Sequence, residues 1–443
     1  MVKDLKIATI GGGSSYTPEI VEGFINKAIS GELAIKELWL VDIPTGRNKL
    51  EIVGSLAKRM VAKAGNPFKI ILTEDRRAAI SGADFVTTQF RVGLLDARIR
   101  DERIPLKYGL IGQETNGAGG FAKAMRTIPV ILDICRDIEE LAPNTWLLNF
   151  TNPSGIITET VLKYSKVKVI GLCNVPIGVK MNIAKLLDVK SDRLFIEFAG
   201  LNHLVWGRRV FLDGKDVTQQ VLEGLADDTN FAVRNIRPIS WGKERLDQIG
   251  MVPCPYHRYY YMTDKMLEEE LADAAPGGKG VRGEVVKGVE AELFELYKDP
   301  DLAIKPPQLM QRGGAYYSDA AVNLMSAINN NKLDFHVVNV RNNGAIADLP
   351  DEVAVELNCI VGAQGATPLS VGHMPPQARG LMQQIKAFEL LTIEAGVTGD
   401  YTTALRALAA NPLVPHGKIA KQLLDEILEA YAEYLPQFSK NSF

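Results

Sequence analysis

Charge of one sign is what this chain most plainly lacks: 50 Lys and Arg stand against 53 Asp and Glu in 443 residues. That balance offers no basic field to hold nucleic acid or to press the chain onto an anionic membrane, so a small molecule is the expected partner. Long apolar runs are missing too. The opening stretch MVKDLKIATIGGG passes from charged residues into a strand without an apolar signal core, and no later run approaches membrane-spanning length. The expectation is a cytoplasmic protein with no nucleic-acid and no membrane partner. Cysteine is scarce: Cys135, Cys173, Cys254 and Cys359 are widely scattered, with neither a disulfide framework nor zinc spacing. A functional cysteine here acts alone or with distant partners.

What is present is length enough for two packed units sharing a cleft. From Lys6 to about Leu172, apolar β-rich runs (KIATI, ELWLVD, KIILT, DFVTTQF, TWLLNF, VKVIGL) alternate with helical stretches, of which Pro18 to Ala28 and Lys49 to Ala64 read as the first two. The strand runs are apolar throughout, as strands covered on both faces should be. This predicts an α/β fold with a Rossmann-type parallel sheet over residues 1–176. Beyond it the rhythm changes. LFIEFAGL precedes LVWGRRVFLDGKDVT, whose Asp213-Gly214 pair signals a hairpin, and then comes the aromatic cluster PYHRYYYM. Residues 177–443 are expected to form a mixed α+β substrate domain with antiparallel strands, closing in amphipathic helices from Gln377 to Leu435. Asp264 to Arg282, with Pro276-Gly277-Gly278-Lys279-Gly280 inside it, reads as a loop near the cleft.

The first strand ends in Gly11-Gly12-Gly13-Ser14-Ser15-Tyr16-Thr17-Pro18. Such a turn lets the backbone approach a pyrophosphate, which would sit on free N–H groups at the helix start. Tyr16 stands where the usual fingerprint has its last glycine. Asp42 closes the second strand about thirty residues on, where an acid accepts ribose hydroxyls. Together these features predict a dinucleotide, with NAD expected and Arg47 close enough in sequence to leave NADP open.

Cys173 (GLCNVP) and His203 (GLNH) end strands that are consecutive in sequence. Each alone reads first as a packed side chain; as a pair they could hold one divalent metal with positions left for substrate oxygens. Among the tyrosines of the PYHRYYYM segment, most read as packing, while one phenolate beside a cation could serve as a base. NFTNPSG offers Asn149 and Asn152 to cofactor or sugar hydroxyls, with Ser154 as a helix cap. Arg91, Arg98, Arg100 and Arg103 crowd one stretch, and Arg282 follows the glycine-rich segment; arginines converging from distant segments suggest a phosphorylated or carboxylated substrate.

Taken together, GGGSSYTPE, QFRVG, IPLKYGLIGQET, NFTNPSG, GLCNVP, GLNH, the tyrosine cluster, RGG at Arg312 and VRNNGAIADLP resemble the family 4 glycoside hydrolases, from Lys6 to the C-terminal helices. These NAD-dependent enzymes depart from the two-carboxylate rule of most glycosidases. The resemblance implies hydrolysis of 6-phospho-β-glucosides to glucose 6-phosphate and an aglycone. It implies that Cys173 and His203 bind a divalent ion, usually Mn²⁺, that NAD⁺ borrows and returns a hydride at C3, that Tyr256 removes the C2 proton, and that Glu114 raises the basicity of Tyr256. Arg98, Asn152 and Arg282 match positions that hold the 6-phosphosugar. Members that cut 6-phospho-α-glucosides carry Asp after the metal cysteine as general acid. Here that residue is Asn174, which cannot donate a proton usefully, so β-linked substrates are implied, with leaving-group protonation by water or another group. The family also implies a homodimer or homotetramer. Two other readings remain: a 2-hydroxy-acid dehydrogenase of the malate or lactate type, and a non-catalytic dinucleotide sensor.

Overall fold

The computed structural model describes residues 4–228, 231, 236–312, 316–415 and 417–439. Twelve strands are assigned: β1 Leu5–Ile10, β2 Ile35–Val41, β3 Lys69–Thr73, β4 Phe85–Thr88, β5 Trp146–Asn149, β6 Lys168–Gly171, β7 Leu194–Leu201, β8 Leu204–Leu212, β9 Lys215–Asp216, β10 Asp334–Arg341, β11 Ala354–Gly362 and β12 Gly365–Pro368. They form one sheet in the order β3-β2-β1-β4-β5-β6-β10-β11-β7-β8-β9, with β12 on β11. The first six are parallel to their neighbours and follow the 3-2-1-4-5-6 order of a Rossmann fold. The other pairings, from β6·β10 outward, are antiparallel.

Continuous apolar runs in the first half have a direct cause. Ile7, Leu38 and Leu40 enter one apolar core, and Ala8, Ile10, Val41 and Val86 enter another; successive side chains of a strand point to opposite faces, so a sheet with helices on both sides needs apolar residues at every position. The second core is closed by the helices Gly117–Leu141, Pro376–Thr398, Tyr401–Ala410 and Lys418–Ala430. The Asp213-Gly214 turn between β8 and β9 has both residues at positive φ, as a two-residue hairpin requires.

The segment expected as a loop from Asp264 to Arg282 is mostly helical. Helix Thr263–Ala274 carries Glu, Leu and Ala, which favour helix even where little is buried, and is anchored by the buried Met266. Only residues 275–281 remain irregular before helix Arg282–Tyr297. Ser154 is the first residue of helix Ser154–Tyr164 rather than its cap: its hydroxyl donates to the Leu172 carbonyl at 3.2 Å.

Candidate active site

The turn joining β7 to β8 has only two residues, Asn202 and His203, because Leu201 pairs directly with Leu204. His203 occupies the left-handed region at φ +62°, a conformation in which an L side chain is strained. Two contacts hold the imidazole there. Its ring stacks on Tyr256 at 3.7 Å between centroids and 6° between planes, and Nδ1 lies 3.0 Å from the Thr115 hydroxyl. With the Thr115 proton directed to Gln113 Oε1 at 2.9 Å, the hydroxyl accepts from Nδ1–H and leaves the Nε2 lone pair as the metal-ligating donor. Burial pushes the imidazole down to about 3, so it is neutral, as a ligand must be.

Cys173 lies two residues past β6, just before helix Val175–Leu186. Burial raises its thiol well above the ordinary cysteine range and the charge of Glu356 adds to this, with the Val175 N–H and the Asn202 side chain opposing. A bare thiol is thus protonated, and a bound cation is what would favour the thiolate. The two strands are consecutive in sequence but not in the sheet: β10 and β11 stand between β6 and β7. Tyr256 links the pair, stacked on His203 and in the field of Cys173. Asn174 is half-buried at the N-cap position of helix Val175–Leu186.

Tyr256 is buried, and burial first, then the charges at Cys173 and Glu114, push its phenol well above the usual range while Arg98 opposes them. Glu114 is a charge hub. Its carboxylate pairs with Arg91, with Arg98 at 3.1 Å and with Lys123 at 2.8 Å. Burial alone would raise Glu114, but the three cations outweigh it and hold the carboxyl well below its usual range. Burial lowers Lys123 to about 7, with Arg91 adding to the effect. Arg98 also binds Glu102 at 2.8 Å, and the second Glu102 oxygen accepts the Gly283 N–H at 2.6 Å, which draws Arg282 toward the same region. Arg282 itself donates to the carbonyls of Gln311 and Arg312; Gly313 and Gly314 of the RGG motif lie outside the described residues. The arginine stretch divides: Arg91 and Arg98 turn inward, while Arg100 caps the Ala430 carbonyl and Arg103 binds Glu284.

In NFTNPSG the two amides differ, Asn152 being half-buried. Asn149 is fully buried, with its amide committed to Thr88, Thr151 and Thr158. The glycine turn also differs from expectation. Gly11 and Gly12 both donate to the Val41 carbonyl and Gly13 donates to Asp42 Oδ2 at 2.8 Å, so these N–H groups are spent within the protein rather than left for a phosphate. Asp42 takes a second bond from Ile43 N–H and so both closes the turn and carries the acid expected at a ribose. Around it Ser15 donates to Glu290, Thr17 donates to the Gly12 carbonyl, and Tyr16 lies beneath the Arg312 guanidinium. Ser14 accepts from the Tyr16 N–H. Arg47 forks onto Glu74 at the surface.

Arg91, Thr115, Lys123, Asn202 and Glu356 were not singled out for the site by sequence reasoning, or were not given these partners. The signal was present for Glu356, a lone charge in the apolar run AVELNCIVG. Among the described residues, no group of three or more His, Cys, Asp or Glu side chains stands close enough to hold a metal. A two-ligand set from Cys173 and His203 fits an ion that keeps most of its positions for substrate oxygens.

Comparison with known proteins agrees with this arrangement. The family described as Family 4 glycosyl hydrolase matches residues 6–189, and its C-terminal domain matches residues 198–414. A probable 6-phospho-beta-glucosidase of Bacillus subtilis (strain 168) is 62% identical over 440 residues, covering 99% of both chains. The 6-phospho-beta-glucosidase of Escherichia coli (strain K12) is 46% identical, covering 99% of this chain and 98% of its own. The Thermotoga maritima 6-phospho-beta glucosidase, solved with NAD and glucose-6-phosphate, superposes with a TM-score of 0.89 at 38% identity, covering 98% of this chain and 99% of that one. A further crystal of that protein also contains manganese.

Proposed function

This chain belongs to family 4 of the glycosyl hydrolases, and from that premise we propose that it is a 6-phospho-β-glucosidase that depends on NAD and a divalent metal. The observation that carries the proposal is the convergence of Cys173, His203 and Glu114 on one buried tyrosine, Tyr256, in a chain closely similar to phospho-β-glucosidases along its whole length.

Bound NAD⁺ would supply transient oxidation and re-reduction at C3, and a bound divalent ion, Mn²⁺ by analogy, would polarise the C2 and C3 oxygens. Cys173 and His203 would hold that ion; Gly11 to Thr17 and Asp42 would hold the dinucleotide. Tyr256 takes the C2 proton, made acidic by the neighbouring ketone, exchanges it with solvent, and delivers a solvent-derived proton to C2 once water has added at C1. As a phenol it is a poor base, and it becomes one only where positive charge stabilises the phenolate: Arg98 already acts in that direction. Glu114, close enough to raise the tyrosine's proton affinity, is itself held by three cations, so it sets the balance of charge around the base without carrying a proton. Arg98, Asn152 and Arg282 receive the 6-phosphate. Asn174 offers no acid to the leaving group, which leaves expulsion of the aglycone to its own stability and to water.

Residues 1–176 are assigned to the dinucleotide and 177–443 to sugar, metal and subunit contacts. A homodimer or homotetramer and a cytoplasmic location belong to the same reading; supporting them are the exposed apolar side chains Leu333 and Phe335, and four free thiols that suit a reducing compartment. Among the described residues no helix is long and apolar enough to cross a membrane. The test is cleavage of 4-nitrophenyl 6-phospho-β-glucoside under reducing conditions. Release of nitrophenol that requires both NAD⁺ and Mn²⁺ is expected. Turnover without NAD⁺, or cleavage of the α-anomer at comparable kcat, would contradict the assignment. Net NADH formation from a 2-hydroxy acid would favour the dehydrogenase reading.

A further inference from the structure

The β10–β11 pair that separates Cys173 from His203 carries a polar row across the sheet. Gly171 on β6 pairs with Asn339 on β10, Asn339 with Glu356 on β11, and Glu356 with Gly200 on β7. Gly171 stands two residues before Cys173 and Gly200 three before His203, so this row ties together the two strands that deliver the ligands. Gly171 leaves space for its neighbour in the row: a Cβ there would come within 2.8 Å of the Asn339 Cβ.

At the centre of the row, Glu356 is fully buried. Its Oε1 accepts from Asn339 Nδ2 at 2.9 Å and from Asn202 Nδ2 at 3.2 Å, and its Oε2 has no hydrogen-bond partner among the described residues. No cation is among these bonded partners. A buried carboxylate held only by amides is costly to the fold, and an apolar side chain would fill the same strand position more cheaply. Asn202 is where that cost finds a use. It neighbours His203 in the two-residue turn, and its Oδ1 accepts the Gly155 N–H at 3.3 Å. Glu356 thus joins the amide beside the imidazole to Asn339, which faces Gly171 two residues before the thiol.

We propose that Glu356 is a positioning residue for the metal pair, tying the Asn202 amide of the His203 turn to Asn339 beside β6 so that the strands delivering Cys173 and His203 are held at one separation. The proposal rests on the reading of Cys173 and His203 as metal ligands. Residues that orient metal ligands typically change affinity about 10–100-fold when removed.

The test is Mn²⁺ titration of the full-length protein, followed by the electron paramagnetic resonance signal of free Mn²⁺, with NAD⁺ affinity measured in parallel. Glu356→Ala is expected to weaken Mn²⁺ binding about 10–100-fold and to leave NAD⁺ binding unchanged. Glu356→Gln, which retains the accepting Oε1, is expected to restore most of the affinity. Asn202→Ala should weaken Mn²⁺ binding comparably, and the double variant should lose no more than either single one. Should Glu356→Ala fail to fold, Glu356→Gln and Asn202→Ala carry the comparison. Parental Mn²⁺ affinity in Glu356→Ala or Asn202→Ala, equal loss in Glu356→Gln and Glu356→Ala, or additive losses in the double variant would overturn the proposal. If Cys173→Ala also binds Mn²⁺ like the parent, the metal assignment itself falls; loss in Cys173→Ala beside parental affinity in Glu356→Ala sinks the positioning role alone.

Discussion

At His203 backbone and side chain make opposite demands. The left-handed turn at φ +62° favours glycine, whereas a metal site requires the imidazole. Strain of about 1–3 kcal/mol at such a residue is partly offset by the ring stack on Tyr256, worth about 0.5–1.5 kcal/mol. His203→Gly should therefore fold with stability within roughly 2 kcal/mol of the parent yet lose Mn²⁺ binding; guanidinium unfolding and a Mn²⁺ titration check the two halves separately. A second histidine sets a pH response. His257 is wholly buried against Trp206, neither ring nitrogen has a hydrogen-bond partner among the described residues, and burial lowers it from about 6.5 to about 3. Below pH 6.5 the unfolded chain binds a proton that the folded chain refuses, so this stability is complete above 6.5 and is lost as pH falls toward 3. The loss is about 1.4 kcal/mol per pH unit. Between pH 7.5 and 5.5 the unfolding midpoint should fall further in the parent than in His257→Phe; equal falls would show that His257 does not contribute. Neither feature was legible beforehand, because turn conformation and burial depend on which segments pack together.

The glycine turn shows how an element can be read correctly for only part of its reason. Sequence pattern placed it between strand and helix and assigned it to a dinucleotide, while the structure shows each glycine also required by the fold. A Cβ on Gly12 would meet Leu40 Cβ at 2.7 Å and Val41 N at 2.8 Å, and one on Gly13 would meet Asp42 Oδ2 at 2.6 Å. Backbone cannot yield as a flexible side-chain tip can, so Gly12→Ala should cost about 1–3 kcal/mol and reduce NAD⁺ affinity at least tenfold. Gly178→Ala, in a helix and with nothing within 4 Å of its Cβ, should be neutral or gain up to about 1 kcal/mol. Thermal unfolding and NAD⁺ fluorescence titration separate these cases. Helix Thr263–Ala274 was missed for a different reason: its charged sequence buries little more than Met266, so apolar periodicity gave no signal.

For the whole molecule, the parallel half was legible because its central strands, β1 and β4 above all, bury both faces and therefore announce themselves as apolar runs. The antiparallel half was legible as a change of rhythm only. That β10 and β11 return from beyond residue 330 to lie between β6 and β7 leaves no local trace, since strand pairing is a long-range event. The same is true of the Glu114 hub, whose cations come from a loop and two helices and meet only in the folded chain. Cys173, His203 and Tyr256 could be named from their motifs; the stack of Tyr256 on His203 and the Asn202–Glu356 bond could not. The account's central claim is that a hydride is borrowed at C3 and returned while Tyr256 moves a proton at C2. Its most direct test is turnover of a 6-phospho-β-glucoside in deuterated water, with NMR of the glucose 6-phosphate formed. Deuterium at C2, none at C3, no net NADH, and strong suppression of the C2 exchange in Tyr256→Phe are predicted. A product with ordinary hydrogen at C2, or with deuterium at C3, would contradict it.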